Sequence, residues 1–242
     1  MTHPFRLEGM RVAITGAGGG IGSATAELAA QLGADVMVSD IKAPNAVAET
    51  VRALGRHAEA TALDVTDRAA VEAWCKACGK VDAVIDCAAI CPFDDWRDEG
   101  WDEVAAKVFN VNLQGPLNIT RTFMSAMAAA GGGRVVLIGS IAGRLGGLLS
   151  SAHYVMSKGG IHSFVRWAAR QGAPNKVLVN AVAPGVVATP MTAGAPFDAS
   201  VIPLQRLATA QEIAGPLVYL ISPTASYITG TVLDVNGGVH FS

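Results

Sequence analysis

Tyr154 and Lys158 stand four positions apart in a stretch with helical periodicity, so a phenol and an ammonium project from neighbouring turns of one face. A free phenol has a pKa of about 10 and is a poor base near neutrality. An adjacent ammonium and a positively charged nicotinamide both favour tyrosinate, which lets Tyr154 take a proton from an alcohol or return one to a carbonyl. Ser140 closes the apolar run Arg134 to Ile138, and a hydroxyl at the carboxyl end of a buried strand is placed to hold a substrate oxygen. These groups can move protons but not hydride, so a redox reaction here would draw on a cofactor such as a nicotinamide.

The site for that nicotinamide is read from Thr15-Gly16-Ala17-Gly18-Gly19-Gly20-Ile21-Gly22, directly after the apolar run Val12-Ala13-Ile14. Glycines between a strand and a helix allow positive φ and close approach to a ligand. The free N–H groups of the helix opening at Ile21 suit a pyrophosphate. Gly16, Gly20 and Gly22 are spaced Gly-x3-Gly-x-Gly; the commoner Gly-x-Gly-x-x-Gly fails because Ile21 and Ser23 occupy its third positions. Asp40 ends the following strand, where a carboxylate meets the adenosine ribose hydroxyls and repels the extra phosphate of NADP. NAD is therefore the expected cofactor, with Lys42 as a nearby offsetting charge.

The turn from Thr15 to Gly22 resembles, residue by residue, the Thr-Gly-x3-Gly-x-Gly turn of the classical short-chain dehydrogenase/reductase family, and the order of Ser140, Tyr154 and Lys158 matches its active-site set. The resemblance covers nearly the whole chain. It implies an NAD-dependent enzyme in which Ser140 and Tyr154 are catalytic and Lys158 also contacts the nicotinamide ribose. Asn112 then belongs to a proton relay through water, with Asn110 as the competing assignment. It further implies that Ile41 sits beside Asp40 at the cofactor, Asp64-Val65 beside adenine, and Pro184-Gly185, Val187 and Thr189 beside nicotinamide, with Asn236-Gly237-Gly238 as the last strand turn. Gly19 is neutral where many NADP-dependent members carry a basic residue. One departure is plain: Asp86-Cys87-Ala88-Ala89 replaces the family's Asn-Asn-Ala-Gly, although Cys87, Ala88 and Ala89 keep their place at the cofactor. Ser140 and Tyr154 are also fourteen positions apart, one more than in many members, so the loop between them is expected to bulge.

The elements that must position these groups alternate strand and helix, the pattern of crossover units feeding a parallel sheet covered on both faces. Helices are expected over Ile21 to Leu32, Pro44 to Leu54, Asp67 to Cys78, Trp101 to Ala130 with a disturbance at Gly115-Pro116, Ser151 to Gly172, and Thr209 to Leu220 behind a capping box. Strands are expected at Val12 to Ile14, Val36 to Val38, Ala60 to Leu63, Val81 to Ile85, Arg134 to Ile138, Lys176 to Val182 and Thr231 to Val235. The fold class is α/β, a single doubly wound, Rossmann-like domain over residues 1–242. Residues 189–206, with three prolines and small-residue clusters, read as a mobile cover over the substrate.

At 242 residues the chain suits one substantial core. Charged residues are only 16% against 51% hydrophobic, which argues against disorder and leaves surface for a homo-oligomer; the resemblance implies a homotetramer. A net charge of -2 without a basic stripe excludes a nucleic-acid footprint. No apolar run reaches membrane-spanning length, and Met1-Thr2-His3-Pro4-Phe5-Arg6 lacks a secretory pattern, so a cytoplasmic protein is expected. Cys75, Cys78, Cys87 and Cys91 mimic zinc-ligand spacing, but a strand between the pairs would hold them ~20 Å apart, and no metal is expected.

The substrate wall is expected among Ser140, Ala142, Leu148, Tyr154, Val186 and Met191, with Cys91-Pro92-Phe93, Trp96, Ile141, Leu149 and Val187 as further apolar candidates. His153 and Arg144 are the polar exceptions. These residues point to a secondary alcohol or ketone with a largely apolar body. A 3-oxoacyl-thioester reductase, a sugar or polyol dehydrogenase and a non-catalytic nicotinamide-binding regulator are the competing readings.

Overall fold

The computed structural model describes residues 5–147 and 149–242. In chain order these give β1 (Arg11–Thr15), α1 (Gly20–Gln31), β2 (Asp35–Asp40), α2 (Asn45–Ala53), β3 (Ala58–Ala62), α3 (Arg68–Cys78) and β4 (Ala83–Asp86). The second half adds α4 (Trp101–Phe109), α5 (Gly115–Ala129), β5 (Gly133–Ile138), the single turn α6 (Ala142–Leu145), α7 (Ala152–Gly172), β6 (Val177–Pro184), α8 (Ala210–Ile221) and β7 (Val232–Val235). The seven strands of the described residues pair in parallel in the order β3-β2-β1-β4-β5-β6-β7. This is the doubly wound, Rossmann-like sheet, with its order reversing between β1 and β4.

Alternation along each strand divides the apolar side chains between two layers. Val12, Ile14, Ile85, Val136 and Val182 face the layer of α1 and α8, where Ala26, Ala29 and Ala30 meet Ile213, Leu217 and Ile221. Ala13, Val84, Val135, Leu137 and Ala181 face the other layer, filled by Val71, Trp74, Phe123, Ile161 and Val165 from α3, α5 and α7. Burial on both faces is why the strands carry continuous apolar runs. Thr209 caps α8, its hydroxyl accepting from Glu212 N while the Glu212 carboxylate accepts from Thr209 N, and Asp67 caps α3 by accepting from Ala70 N.

The expected long helix from Trp101 to Ala130 is interrupted earlier than Gly115-Pro116. Residues Asn110–Gln114 form a π-helical turn in which Gly115 N reaches back to Asn110 O. Pro116 has no N–H for the carbonyl of Asn112, four residues back, so the defect appears in the turn before the proline. β4 is also shorter at its start than Val81 to Ile85, beginning at Ala83 and running on to Asp86.

The carboxyl ends of β1 and β4 meet at the switch point, with Thr15 opposite Asp86. There Thr15 Oγ1 donates to Asp86 Oδ1, both side chains being buried. On the neighbouring edge, fully buried Asn118 of α5 donates to Val65 O at 3.0 Å and Thr66 O at 3.2 Å, clamping the turn after β3. Replacing Asn118 with alanine would leave two inward carbonyls without donors and is expected to cost about 1–3 kcal/mol of unfolding free energy. A urea midpoint for Asn118→Ala equal to that of the unmodified protein would show that the clamp contributes nothing.

Candidate active site

The turn between β1 and α1 is built against the sheet edge so closely that side chains have no room. Gly16 has φ 62°, and a Cβ there would lie 2.6 Å from the Cys87 carbonyl carbon. A Cβ on Gly22 would overlap the Gly16 carbonyl oxygen, and one on Gly18 would lie 2.8 Å from Asp40 Oδ2. Gly20, φ 55°, faces Thr189 across the cleft, where a Cβ would lie 3.3 Å from its Cγ2. Gly19 precedes α1 without a side-chain cap, leaving the first-turn N–H groups to an external acceptor. A cleft of about 640 Å³ runs over this turn. A glycine cradle, an uncapped helix start and an acidic strand end together fit a dinucleotide, its pyrophosphate on α1 and its adenosine ribose at Asp40.

Thirteen residues expected at the cofactor line this cleft: Thr15, Gly16, Gly20, Ile21, Gly22, Asp40, Ile41, Asp64, Val65, Cys87, Ala88, Ala89 and Thr189. Asp40 Oδ2 accepts from Gly18 N at 2.8 Å and Oδ1 from Ile41 N at 2.7 Å, fixing the carboxylate at the rim. Ala88 N donates to Thr15 Oγ1 at 3.3 Å and Cys87 N to Thr15 O at 3.3 Å, so the altered Asp86-Cys87-Ala88-Ala89 segment is held by its backbone. Lys107 from α4 and Pro190 also border the cleft; neither has a motif that marks it in sequence.

The residues expected to be catalytic gather where α7 packs against β5. Ser140 follows β5; its hydroxyl accepts from Ala142 N at 3.1 Å and acts on the Tyr154 phenol, whose pKa it lowers. Ile141 N donates to Pro184 O at 2.8 Å, tying this loop to the end of β6. Lys158 is buried, donates from Nζ to Ile138 O at 2.9 Å, and lies 5.6 Å from the centroid of the Tyr154 ring. Burial pushes the Lys158 ammonium down to about 8, opposed chiefly by the Asp86 carboxylate. Asp86 is itself pushed up by burial, opposed by the Thr15 hydroxyl and by Lys158.

Tyr154 departs from the sequence expectation. Burial raises its phenol above the ordinary value, the Cys91 thiol adds to the rise, and only the Ser140 hydrogen bond opposes it. The ammonium is committed to the Ile138 carbonyl, so its proximity does not by itself produce tyrosinate. Asn112 likewise has its side chain committed elsewhere: Oδ1 accepts from Ile90 N at 2.9 Å, while Nδ2 donates to Ile90 O at 2.9 Å and to Ser157 Oγ at 3.2 Å. The competing Asn110 supplies the carbonyl that Gly115 N reaches across the π turn.

Several expected residues fall elsewhere. Pro184 ends β6, and Gly185 packs against Asn236, where a Cβ would lie 2.9 Å from its Cα. Val186 lines a separate small hollow with Ile202 and Leu204, because the chain turns away from the reaction edge after Gly185. Val187 is buried in a bridge to Ala208, and Ala142 is buried beneath Ser140. Met191 borders the dinucleotide cleft rather than a substrate wall. Leu148 lies outside the described residues. Arg144 is tied to β7: it donates to Asp234 Oδ1 at 3.2 Å and to Val232 O at 3.1 Å, and 16% of its side chain stays exposed. The fourteen-residue spacing from Ser140 to Tyr154 is taken up by α6 and a turn at Gly146-Gly147.

His162, one turn beyond Lys158, is a positioning residue that sequence reading did not identify. Its Nε2 accepts from Ser140 N at 3.4 Å, and the ring fills the space that a Cβ on Gly139 or Gly143 would need. Burial, with Arg144 adding to it, lowers His162 to about 4, so the ring is an acceptor at neutral pH. Its only sequence signal is a histidine on the face of α7 that carries Lys158.

A large second cleft, about 990 Å³, adjoins the start of α7 and includes Phe93, Trp96 and Leu149 with residues 193–196. Phe197 of the 189–206 segment packs edge-on to Phe93 at 5.9 Å. The segment is anchored at one end by Thr192 Oγ1 donating to Val187 O at 2.6 Å and at the other by Leu204 N donating to Gly237 O at 3.2 Å.

Residues 16–240 match the family model described as enoyl-(acyl carrier protein) reductase. The chain is 37% identical to an L-rhamnose 1-dehydrogenase (NAD(P)(+)) of a Sphingomonas species, over 97% of each chain. It superposes on a short-chain type dehydrogenase/reductase from Mycobacterium marinum with a TM-score of 0.93 and 28% identity, covering 99% of this chain and 98% of the other. It also matches a 3-oxoacyl-[acyl-carrier protein] reductase with bound NAD from Brucella melitensis, with a TM-score of 0.91 and 31% identity over 99% and 95% of the two chains.

Lys158 makes a pH signature that can be measured. The folded protein releases this proton near pH 8 and the unfolded chain near 10.5, so between them the unfolded state binds more protons and stability rises with pH. Relative to Lys158→Met, the unmodified protein is expected to gain on the order of 1–3 kcal/mol across that window in urea unfolding. A difference independent of pH would contradict the buried, perturbed ammonium.

Proposed function

Since the chain belongs to the short-chain dehydrogenase/reductase family and is an NAD(P)-dependent oxidoreductase of that kind, we propose that it is an NAD-dependent alcohol dehydrogenase or carbonyl reductase. Its substrate is a secondary alcohol or the matching ketone on a largely apolar body. The observation that carries this reading is the convergence of the Ser140 hydroxyl on the Tyr154 phenol beside buried Lys158, whose Nζ lies 5.6 Å from the Tyr154 ring centroid.

A bound nicotinamide supplies hydride acceptance or donation. Tyr154 does the complementary proton work: its phenolate takes the carbinol proton in oxidation, and its phenol returns a proton to the carbonyl oxygen in reduction. Ser140 holds that oxygen against the phenol and stabilises its developing charge. Positive charge added beside Tyr154 when the oxidised cofactor is bound would offset the burial that raises the phenol, and Lys158 would hold the cofactor ribose. We assign Asn112 to the proton relay through its main-chain carbonyl, since its amide is engaged and its helical partner four residues on, Pro116, has no N–H. Pro184, Gly185 and Val187 act by setting the course of the chain to Thr189.

NAD is favoured over NADP because Asp40 is fixed at the ribose end of the cleft by two backbone donors. Lys42 is exposed and does not line that cleft, and Gly19 brings no cation. We further assign residues 1–242 to a single catalytic domain with 189–206 covering the substrate. A cytoplasmic homotetramer is the proposed form; Trp167, stacked on Phe164 yet 58% exposed, is suited to a second copy, and four free thiols suit a reducing compartment.

A second reading, a 3-oxoacyl-thioester reductase, is favoured by the Brucella relative. NADH formation from small secondary alcohols, compared with NADH consumption on acyl thioesters, separates the two. Tyr154→Phe is expected to fold and bind dinucleotide while turnover falls about 10²–10⁴-fold; undiminished turnover would remove Tyr154 from the reaction. Asp40→Ala is expected to shrink the NAD:NADP ratio of kcat/KM by about tenfold or more, and an unchanged ratio would dismiss the carboxylate as selector.

A further inference from the structure

The second cleft is not uniformly apolar. Asp94 lies in its wall, and both oxygens of its carboxylate face Nε2 of His153, at 2.9 and 3.2 Å. Because an ionised carboxylate only accepts, His153 donates. His153 has no exposed surface, and its ring stacks on Trp101 at 5.3 Å with planes 15° apart. Trp101 is held in turn by its indole N–H donating to Ser151 Oγ at 3.1 Å. A tryptophan, a histidine and the start of α7 thus fix one carboxylate, which retains 19% side-chain exposure toward the cleft.

A carboxylate locked in place at an apolar wall carries lone pairs beyond those His153 uses. Phe93, Asp95 and Trp96 line the same cleft, and the Asp95 carboxylate is taken up by the Arg97 guanidinium, at 2.8 Å from Nε and 2.5 Å from Nη2. The Asp94 carboxylate rewards a ligand that brings a hydrogen-bond donor and penalises one that brings an anion. His153, which holds it, immediately precedes Tyr154 in α7. Ser140 and Tyr154 do not line this cleft, so the recognised group belongs to the part of the substrate remote from the carbinol.

We propose that Asp94, positioned by His153 and Trp101, is a specificity-determining residue that accepts a hydrogen bond from a remote hydroxyl or ammonium group of the substrate. The inference rests on the dehydrogenase reading for its reaction and narrows the substrate to an apolar alcohol or ketone with a remote donor, excluding one that ends in a carboxylate.

The test uses the full-length protein with NAD and four probes sharing a secondary carbinol: a diol with a remote hydroxyl, its methyl ether, an amino alcohol and a hydroxy acid. The unmodified protein is expected to favour the diol or the amino alcohol over the ether by about tenfold or more in kcat/KM, with the hydroxy acid poorest. In Asp94→Leu that preference should collapse to about one, and in His153→Phe it should fall partway, because the carboxylate loses its fixture but not its charge. Asp94→Asn should keep the diol preference and lose that for the amino alcohol, which separates the two donors. Binding of the same probes in the presence of NADH is followed by tryptophan fluorescence, with Trp96 in the cleft and Trp101 on His153 as reporters. Turnover of none of the probes combined with selective binding would sink the dehydrogenase reading and leave the Asp94 site standing. Equal kcat/KM and equal binding for diol, amino alcohol and ether, or a preference that survives Asp94→Leu, would overturn the site itself.

Discussion

Burial of a single ammonium is the constraint around which the active edge is arranged. Lys158 has almost no surface and must satisfy its charge from the protein, which it does through the Ile138 carbonyl at 2.9 Å and the electrostatic pull of Asp86. The first contact pins α7 to the end of β5, and that places Tyr154, one turn earlier on the same helix, against Ser140. The second acts through space toward the end of β4, where Asp86 also receives the Thr15 hydroxyl. Through Thr15 the charge that positions the phenol is linked to the glycine turn that holds the dinucleotide. Removing the ammonium therefore disturbs both halves of the site, and its depressed pKa is the energetic trace of that arrangement.

Asp86 gains meaning from this view. An asparagine at this point offers the Thr15 hydroxyl a neutral acceptor. A carboxylate offers a stronger one and adds a counter-charge to a buried lysine, at the cost of its own desolvation. The loss of two amides in Asp86-Cys87-Ala88-Ala89 is tolerated because the main-chain donors of Cys87 and Ala88 remain on Thr15. Here the backbone, not the side chains, holds the segment against Gly16.

Much of this was readable in the sequence where one residue type admits few conformations. The glycines of the first turn, the capping box at Thr209 and the apolar runs of the strands each answer a local steric or hydrogen-bonding demand, and the elements fall within a few residues of expectation. What was hidden depends on residues distant in the chain. Pro116 announces a defect but not that it slips upstream into a π turn at Asn112. Val186 looked available for a substrate and Arg144 for solvent, because nothing local tells that the chain bends toward Ile202 or that Asp234 waits beside Arg144. His162 behind Ser140 and Asp94 under His153 are pairs made by tertiary packing, so no spacing rule could have joined them. The same applies to Tyr154, whose spacing from Lys158 suggests an activated phenol although burial, not the neighbour, dominates its free state.

The central claim is that Tyr154, raised by burial, becomes a base only when positive charge is brought beside it. Its direct test is an ultraviolet difference titration of tyrosinate, unmodified protein minus Tyr154→Phe, without dinucleotide and with saturating NAD. The account predicts a Tyr154 transition above the ordinary tyrosine range in the free protein that moves down by at least one pH unit with NAD and fails to move in Lys158→Met. A transition at the same pH in both states, with turnover intact, would contradict it.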